Sequence, residues 1–251
     1  MACDAWRPSD HLRGAGYTVA SVCRARAFCD NWRVKPFTVD DLIACYRRGV
    51  FPMAEGRDDD GFFIVDPEQR CIIPLAAFHI PRRLKRTLRR DAFSFTSDRC
   101  FEEVIDACAE PGAGREDTWI NRDIHALYLD LHKRGLAHSV EVWLDKELVG
   151  GLYGVALGGA FFGESMFSWA TDASKAALVH LVARLRFGGF SLLDAQFVTP
   201  HLEQFGATSL PRGAFLAMLG AALQASADFS SLAHEAPGAR LVDIATAPAS
   251  V

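Results

Sequence analysis

From His138 onward the hydrophobic pattern changes to a period of two, and the chain holds strand-like patterning through three consecutive segments. Val140, Val142 and Leu144 alternate with Ser139, Glu141 and Trp143, and Asp145-Lys146 then interrupts as a hairpin turn. "ELVGGLYGVAL" follows and, past Gly158-Gly159, "AFFGESMF". Strands joined by turns this short run antiparallel, because a parallel crossover needs a dozen or more residues. The spacing therefore predicts an antiparallel meander of three strands, and the rest of the chain must pack around it.

Helical spacing flanks the meander. Phe101, Val104, Ile105 and Cys108 make one apolar face, and Ile124, Leu127, Tyr128 and Leu131 another. A helix is expected from about Ser174, with Ala177, Leu178, Leu181, Val182 and Leu185 inside and Gly188-Gly189 at its end. "FSLLDAQFV" reads as a buried strand, and a last helix carries Phe215, Leu216 and Leu219. Upstream, Thr38 can cap a helix whose first turn holds Asp40 and Asp41, where the macrodipole favours acids. Val39, Leu42, Ile43 and Tyr46 form its apolar face and Gly49 stops it. "GVFPMAEGRDDDG" reads as a loop, and "FFIVDPEQRCIIPL" as two short strands broken by Asp66-Pro67. The expected organisation is a loop-rich segment 1–36, a small α+β unit 37–78, a larger unit 79–225 and a tail 226–251.

Composition narrows the class. With 251 residues, 50% of them hydrophobic, the chain can bury a substantial core. Its apolar runs fall short of the ~20 residues that span a bilayer, and MACDAWRPSDHLRG lacks the apolar region of a signal peptide. Seven cysteines without any CxxC pair fit reduced thiols in the cytoplasm better than disulfides or zinc. No P-loop or GxSxG is present and the histidines are dispersed. A net charge of −4 does not announce a nucleic-acid binder. It hides RRLKRTLRR at 82–90, where Arg82, Arg83, Lys85, Arg86, Arg89 and Arg90 stand without an acid. Such a run is either a phosphate-binding footprint or a solvated helix face.

Two polar groups interrupt apolar strands. Glu164 and Ser165 sit between aromatics in "FFGESMFS", and Asp194 lies in "SLLDAQF". At a period of two, Asp194 and Gln196 share one face. Carboxylates in such surroundings are candidates for proton handling, since burial raises their pKa toward useful values. Each also has a plainer reading, as a buried ion pair at Glu164 and a polar strand end at Asp194. The order helix, helix, three strands, helix, strand, helix is that of N-acetyltransferase-type acyltransferases, which is analogy at the level of fold. The fold class expected is α+β: a C-terminal N-acetyltransferase-like (GNAT-type) domain with a mixed, largely antiparallel sheet flanked by helices, plus a small N-terminal α+β domain.

The stretches "YRRGVFP", "DTWIN", "LHKRGLAHSVEVW", "LVGGLYGVALGGAFFGESMFS", "DASKAAL", "LLDAQ" and "HLEQFGA" occur in order between about residues 38 and 219. In these the chain resembles the leucyl/phenylalanyl-tRNA–protein transferases. The resemblance implies transfer of leucine or phenylalanine from aminoacyl-tRNA to the N-terminal α-amine of proteins beginning with Lys or Arg, which creates a degradation signal. It implies no cofactor, no metal and no membrane. It assigns Asp194 and Gln196 as the catalytic pair and Glu164 to the active site. Leu152, Phe161, Leu178 and Trp119 would form the aminoacyl pocket, and the cations of 82–90 would bind tRNA. The chain departs from the family's pattern at Met53, where FPW is usual, and at "FFIVDPEQR", where a WWSPDPR-like run is usual. The family's N-terminal GLLAxGGDL segment is absent, and Asp172 replaces the Asn of NASK. The rivals are an acetyl-CoA-dependent N-acetyltransferase and a non-catalytic tRNA- or N-terminus-binding module. Against the first stands "SWATDASK", without the glycine-rich pyrophosphate loop, and against the second the intact Glu164, Asp194 and Gln196.

Overall fold

A computed structural model describes residues 37–111 and 117–248 and the backbone of 23–26. The chain runs through β1 (Cys23–Arg26), α1 (Val39–Arg47), β2 (Phe51–Met53), β3 (Gly61–Val65) and β4 (Gln69–Ile72). Next come α2 (Arg82–Leu88), β5 (Ser94–Ser97), α3 (Phe101–Ala109) and α4 (Arg122–Lys133). The meander is β6 (Ala137–Leu144), β7 (Glu147–Leu157) and β8 (Ala160–Ser168). It is followed by α5 (Ala173–Phe187), β9 (Leu192–Gln196), α6 (Pro200–Glu203), β10 (Thr208–Pro211), α7 (Arg212–Ala222) and α8 (Gly238–Thr246).

Local chemistry fixes the ends of these elements. Thr38 Oγ1 accepts from Asp41 N at 3.3 Å and Asp41 Oδ2 accepts from Thr38 N at 2.9 Å, so two donors at the start of α1 are satisfied reciprocally. Asp145 and Lys146 take φ of 50° and 72°, the left-handed pair that a two-residue hairpin needs between β6 and β7.

Seven strands form one sheet in the order β10-β4-β9-β8-β7-β6-β5. Every neighbouring pair is antiparallel except β8 and β9, which are parallel and are linked through α5. One face of the sheet is covered by a core that includes residues of α2, α5 and α8, and the other by a core drawing on α1, α3, α4 and α7. The fold is thus a mixed α+β architecture, its large mixed sheet flanked by helices. A second sheet, β1-β3-β2, is wholly antiparallel.

Three stretches differ from the sequence reading. The expected loop after Gly49 contains β2, paired with β3 from Phe51↔Val65 to Met53↔Phe63. The chain joins the large sheet at β4, before residue 78, because β4 pairs with both β9 and β10. Residues after 225 are packed in: Phe229, Leu232, Leu241, Val242 and Ala245 are buried in the core under α5. Apart from β1, the segment 1–36 lies outside the described residues.

Parallel pairing of β8 with β9 spans only Ala160–Phe162 against Leu192–Asp194. Both strands continue past that point, β8 to Ser168 and β9 to Gln196, so the sheet opens between them.

Candidate active site

The opening is a cleft of about 690 Å³. Leu152, Met166, Leu178, Leu181, Leu193 and Leu202 give it an apolar wall on the side of α5, and Glu164, Asp194 and Gln196 line it as well.

A β-bulge aims Glu164. Along β8, Ser165 pairs with Tyr153 and Gly163 pairs with Gly154, which leaves Glu164 as the extra residue of the strand. Gly154 is required opposite it, since a Cβ there would run into the Phe162 carbonyl oxygen and the Phe161 ring. Turned out of the ladder, the Glu164 carboxylate meets two helices. Tyr46 of α1 donates to Oε1 at 2.7 Å, Tyr128 of α4 donates to Oε2 at 2.9 Å, and the two hydroxyl oxygens lie 2.5 Å apart. Gln196 Nε2 donates to Oε1 at 3.2 Å.

Burial pushes the Glu164 carboxyl up to about 7; the tyrosine bonds oppose this only in part, the Asp194 charge reinforces it and Arg70 opposes it. The same burial, followed by the Glu164 charge, drives both phenols well above their ordinary range, so they stay protonated donors.

Asp194 is arranged differently. It is 0% exposed and forked by Arg70, itself 1% exposed: Nε to Oδ1 at 2.8 Å and Nη2 to Oδ2 at 2.6 Å. Oδ1 also accepts from Gln196 N at 3.0 Å. Arg70 Nη1 donates to the Gly49 carbonyl at 3.0 Å, and the guanidinium carbon sits 4.5 Å from the Phe51 ring centre and 4.8 Å from that of Phe215. Gln196, at φ 53°, turns out of the extended conformation, and this brings its amide to Glu164 while its N–H returns to Asp194. Beside them, burial and then the Asp194 charge push the Cys71 thiol up to about 12, which leaves it protonated and inert as a nucleophile.

The structure brings Glu164, Asp194, Gln196, Leu152 and Leu178 together around the cleft. Phe161 is elsewhere: fully buried, it stacks on Phe229 at 5.6 Å and meets Phe190 edge-on at 6.4 Å, in the core rather than in the lining. Trp119 packs half-buried against the other core, its carbonyl accepting from Ala54 N at 3.2 Å, and is likewise outside the lining. In α2 and its end, Arg82, Arg83, Arg86, Arg89 and Arg90 are exposed and Lys85 is half-buried, while Leu84 and Leu88 anchor the helix in the core. Arg89 pairs with Asp243 at 2.7 Å. The sequence reading did not pick out Arg70, Tyr46 and Tyr128, nor Met166, Leu181 and Leu193 as pocket residues.

Fold and site together are those of an enzyme, with two carboxylates and an amide beside an apolar cleft. A family model described as leucyl/phenylalanyl-tRNA protein transferase matches residues 72–220, and one for the N-terminal domain of the same family matches residues 36–68. Leucyl/phenylalanyl-tRNA–protein transferase of Phenylobacterium zucineum is 60% identical over 203 residues, covering 81% of this chain and 92% of its own. The enzymes of the same name from Caulobacter vibrioides and Maricaulis maris are 59% and 54% identical, covering 80% and 85% of this chain and 93% and 99% of theirs. Among solved structures, L-PGS from Bacillus licheniformis matches with a TM-score of 0.33 and 14% identity over 65% of this chain and 55% of that one, too distant to carry an argument. The chain belongs to the leucyl/phenylalanyl-tRNA protein transferase family.

Proposed function

We propose that the chain moves leucine or phenylalanine, with methionine tolerated, from aminoacyl-tRNA to the α-amine of proteins whose first residue is Lys or Arg, marking them for degradation in the cytoplasm. The observation that carries this reading is the shared cleft: a leucine-lined wall suited to an apolar aminoacyl side chain, beside Glu164 and Gln196 at hydrogen-bonding distance from each other. Asp194, Gln196 and Glu164 are its catalytic residues. The parting of β8 from β9 supports reading the large sheet and its flanking helices, from β4 onward, as an acyltransferase-like, GNAT-type domain that holds the aminoacyl ester.

The chemistry asks little. The ester is already activated by its tRNA, and the acceptor amine has a pKa of about 7.7–8.0, so no cofactor is needed. What remains is to bring the nitrogen to the carbonyl, take up a proton and stabilise the oxyanion. Loose donor choice follows from an apolar wall, since one methylene discriminates by only about 1–3 kcal/mol. The exposed cations of α2 are the surface for tRNA phosphates.

The test is transfer of labelled leucine from leucyl-tRNA to peptides beginning with Lys, Arg, Asp, Glu or Met, with acetyl-CoA as the alternative donor. Leucylation confined to the Lys and Arg peptides is the expected result. Acetylation without leucylation defeats the reading.

A further inference from the structure

The two carboxylates of the cleft are held in ways that suit different tasks. Both oxygens of Asp194 are engaged by the Arg70 fork, and Oδ1 accepts a backbone N–H besides. Its side chain is fully buried, with Arg70 on one side and the strand backbone on the other. A proton arriving there has to break an ion pair. Glu164 instead reaches the cleft from a bulge and is only part-buried.

Its contacts also count protons. Glu164, Tyr46 and Tyr128 form a closed triangle of oxygen–oxygen contacts at 2.5, 2.7 and 2.9 Å. Three hydrogen bonds need three protons, and two hydroxyls supply only two. The third is present when Glu164 is protonated, so the triangle is complete in the acid form and one bond short in the carboxylate form.

We infer that Glu164 takes and returns the proton of the transfer reaction, and that Arg70 is a positioning residue which, by occupying Asp194, keeps that carboxylate out of proton exchange. This rests on the aminoacyl-transfer reading above. The acceptor amine, having lost one proton to solvent, attacks the ester carbon with its lone pair; the carbon–nitrogen bond forms and the nitrogen becomes positive. The Glu164 carboxylate removes that N–H proton. The carbon–oxygen bond to the ribose breaks with its electron pair on the ribose oxygen, and Glu164 gives the proton to that oxygen. Asp194 meanwhile stays fixed and holds Gln196 N, and the Gln196 amide in turn holds Glu164.

The charged and titratable groups around Glu164 are Tyr46 on α1, Tyr128 on α4, Tyr153 on β7, Arg70 on β4 and Asp194 on β9. Burial raises Glu164 to about 7 and drives the Tyr46 and Tyr128 phenols well above their ordinary range, so within this hydrogen-bonded triangle it is Glu164 that changes charge near neutrality.

The experiment is single-turnover transfer from leucyl-tRNA to a peptide with N-terminal Arg, followed against pH in the unmodified chain, Glu164→Gln, Asp194→Asn, Arg70→Met and the double variant Arg70→Met/Asp194→Asn. Besides the acceptor amine's own inflection at about 7.7–8.0, an inflection near pH 7 is expected in the unmodified chain and in Asp194→Asn; Glu164→Gln should lose it, keep only the amine's, and fall at least a hundredfold in rate. Because Arg70 acts through Asp194, the double variant should be no slower than Asp194→Asn alone, although Arg70→Met alone is slower than either. The double variant carries no unpaired buried charge, so it keeps this comparison available if Arg70→Met fails to fold. An inflection that survives Glu164→Gln and disappears in Asp194→Asn overturns the assignment of the base. Additive losses in the double variant overturn the role of Arg70. No transfer by the unmodified chain at any pH overturns the functional reading, and the proposal with it.

Discussion

Arg70 and Asp194 are 1% and 0% exposed, so removing either alone strands the other's charge in apolar surroundings. Arg70→Met should therefore destabilise the fold by about 3–5 kcal/mol, and adding Asp194→Asn should restore most of that, as read from urea unfolding. Glu164 links stability to pH with the opposite sign from an ordinary ion-paired carboxylate. Its folded value of about 7 lies above the ordinary 4.5, so the folded chain binds this proton more tightly than the unfolded one. The stabilisation is complete below about pH 4.5 and is lost as pH rises through about 7. Glu164→Gln cannot ionise, so it should unfold at higher urea than the unmodified chain near pH 8.5, with the gap closing toward pH 4.5. A gap that widens on acidification contradicts this. At this scale the carboxylates were legible, because charges among Leu and Phe stand out. Tyr46 and Tyr128 were not, because a phenol at helical spacing counts as an apolar face, and only the fold shows its hydroxyl meeting an acid 118 or 36 residues away. Arg70 carried a signal that went unread: a lone cation at the head of the apolar run "RCII".

Among the elements, the β7–β8 hairpin does two things at once. Its alternation builds the sheet, and its bulge turns Glu164 toward α1 and α4. Gly154→Ala forces a methyl against the Phe161 ring and the Phe162 carbonyl, and should cost about 1–3 kcal/mol as an overpacked site. Because it disturbs the bulge, transfer should fall by more than the loss of folded chain explains, which circular dichroism and rate measurements on the same sample check together. The meander was readable from its period and from Asp145-Lys146, but a bulge adds one residue and leaves no composition mark, so its place was not. Strand parity also explains Phe161. It falls on the α5 side, like Leu152, but lies deeper, filled in by Phe190 and Phe229. The region after 225 was unread for a different reason: its partner is a buried cation on another element. Arg184 of α5 donates to the carbonyls of Phe229, Leu232 and Ala233 at 2.9, 2.7 and 2.6 Å. Deleting residues 226–251 uncovers the α5 core, and should abolish cooperative thermal unfolding although none of the segment's described residues lines the cleft.

On the scale of the molecule, the proposed function divides the work between the cleft, as a short chemical centre, and the basic helix, as the surface for a long substrate. The six cations of 82–90 stand apart from the cleft lining, five of them exposed, on a helix whose leucines tie it to the same core as α5. Arg82→Glu, Arg86→Glu and Arg89→Glu combined should cut transfer from leucyl-tRNA and flatten its salt dependence, while a leucyl-nucleoside donor is affected far less. Equal losses with both donors contradict a phosphate-binding role. The central claim is that the cleft carries aminoacyl transfer and that Glu164 moves its proton. Its most direct test is the rate of labelled leucine transfer from leucyl-tRNA to an Arg-initiated peptide, unmodified chain against Glu164→Gln, across about pH 5.5 to 8.5. The account predicts an inflection near 7 beside that of the acceptor amine at about 7.7–8.0, and in the variant at least a hundredfold fall in rate with only the amine's inflection left; a variant with the same profile and rate would contradict it.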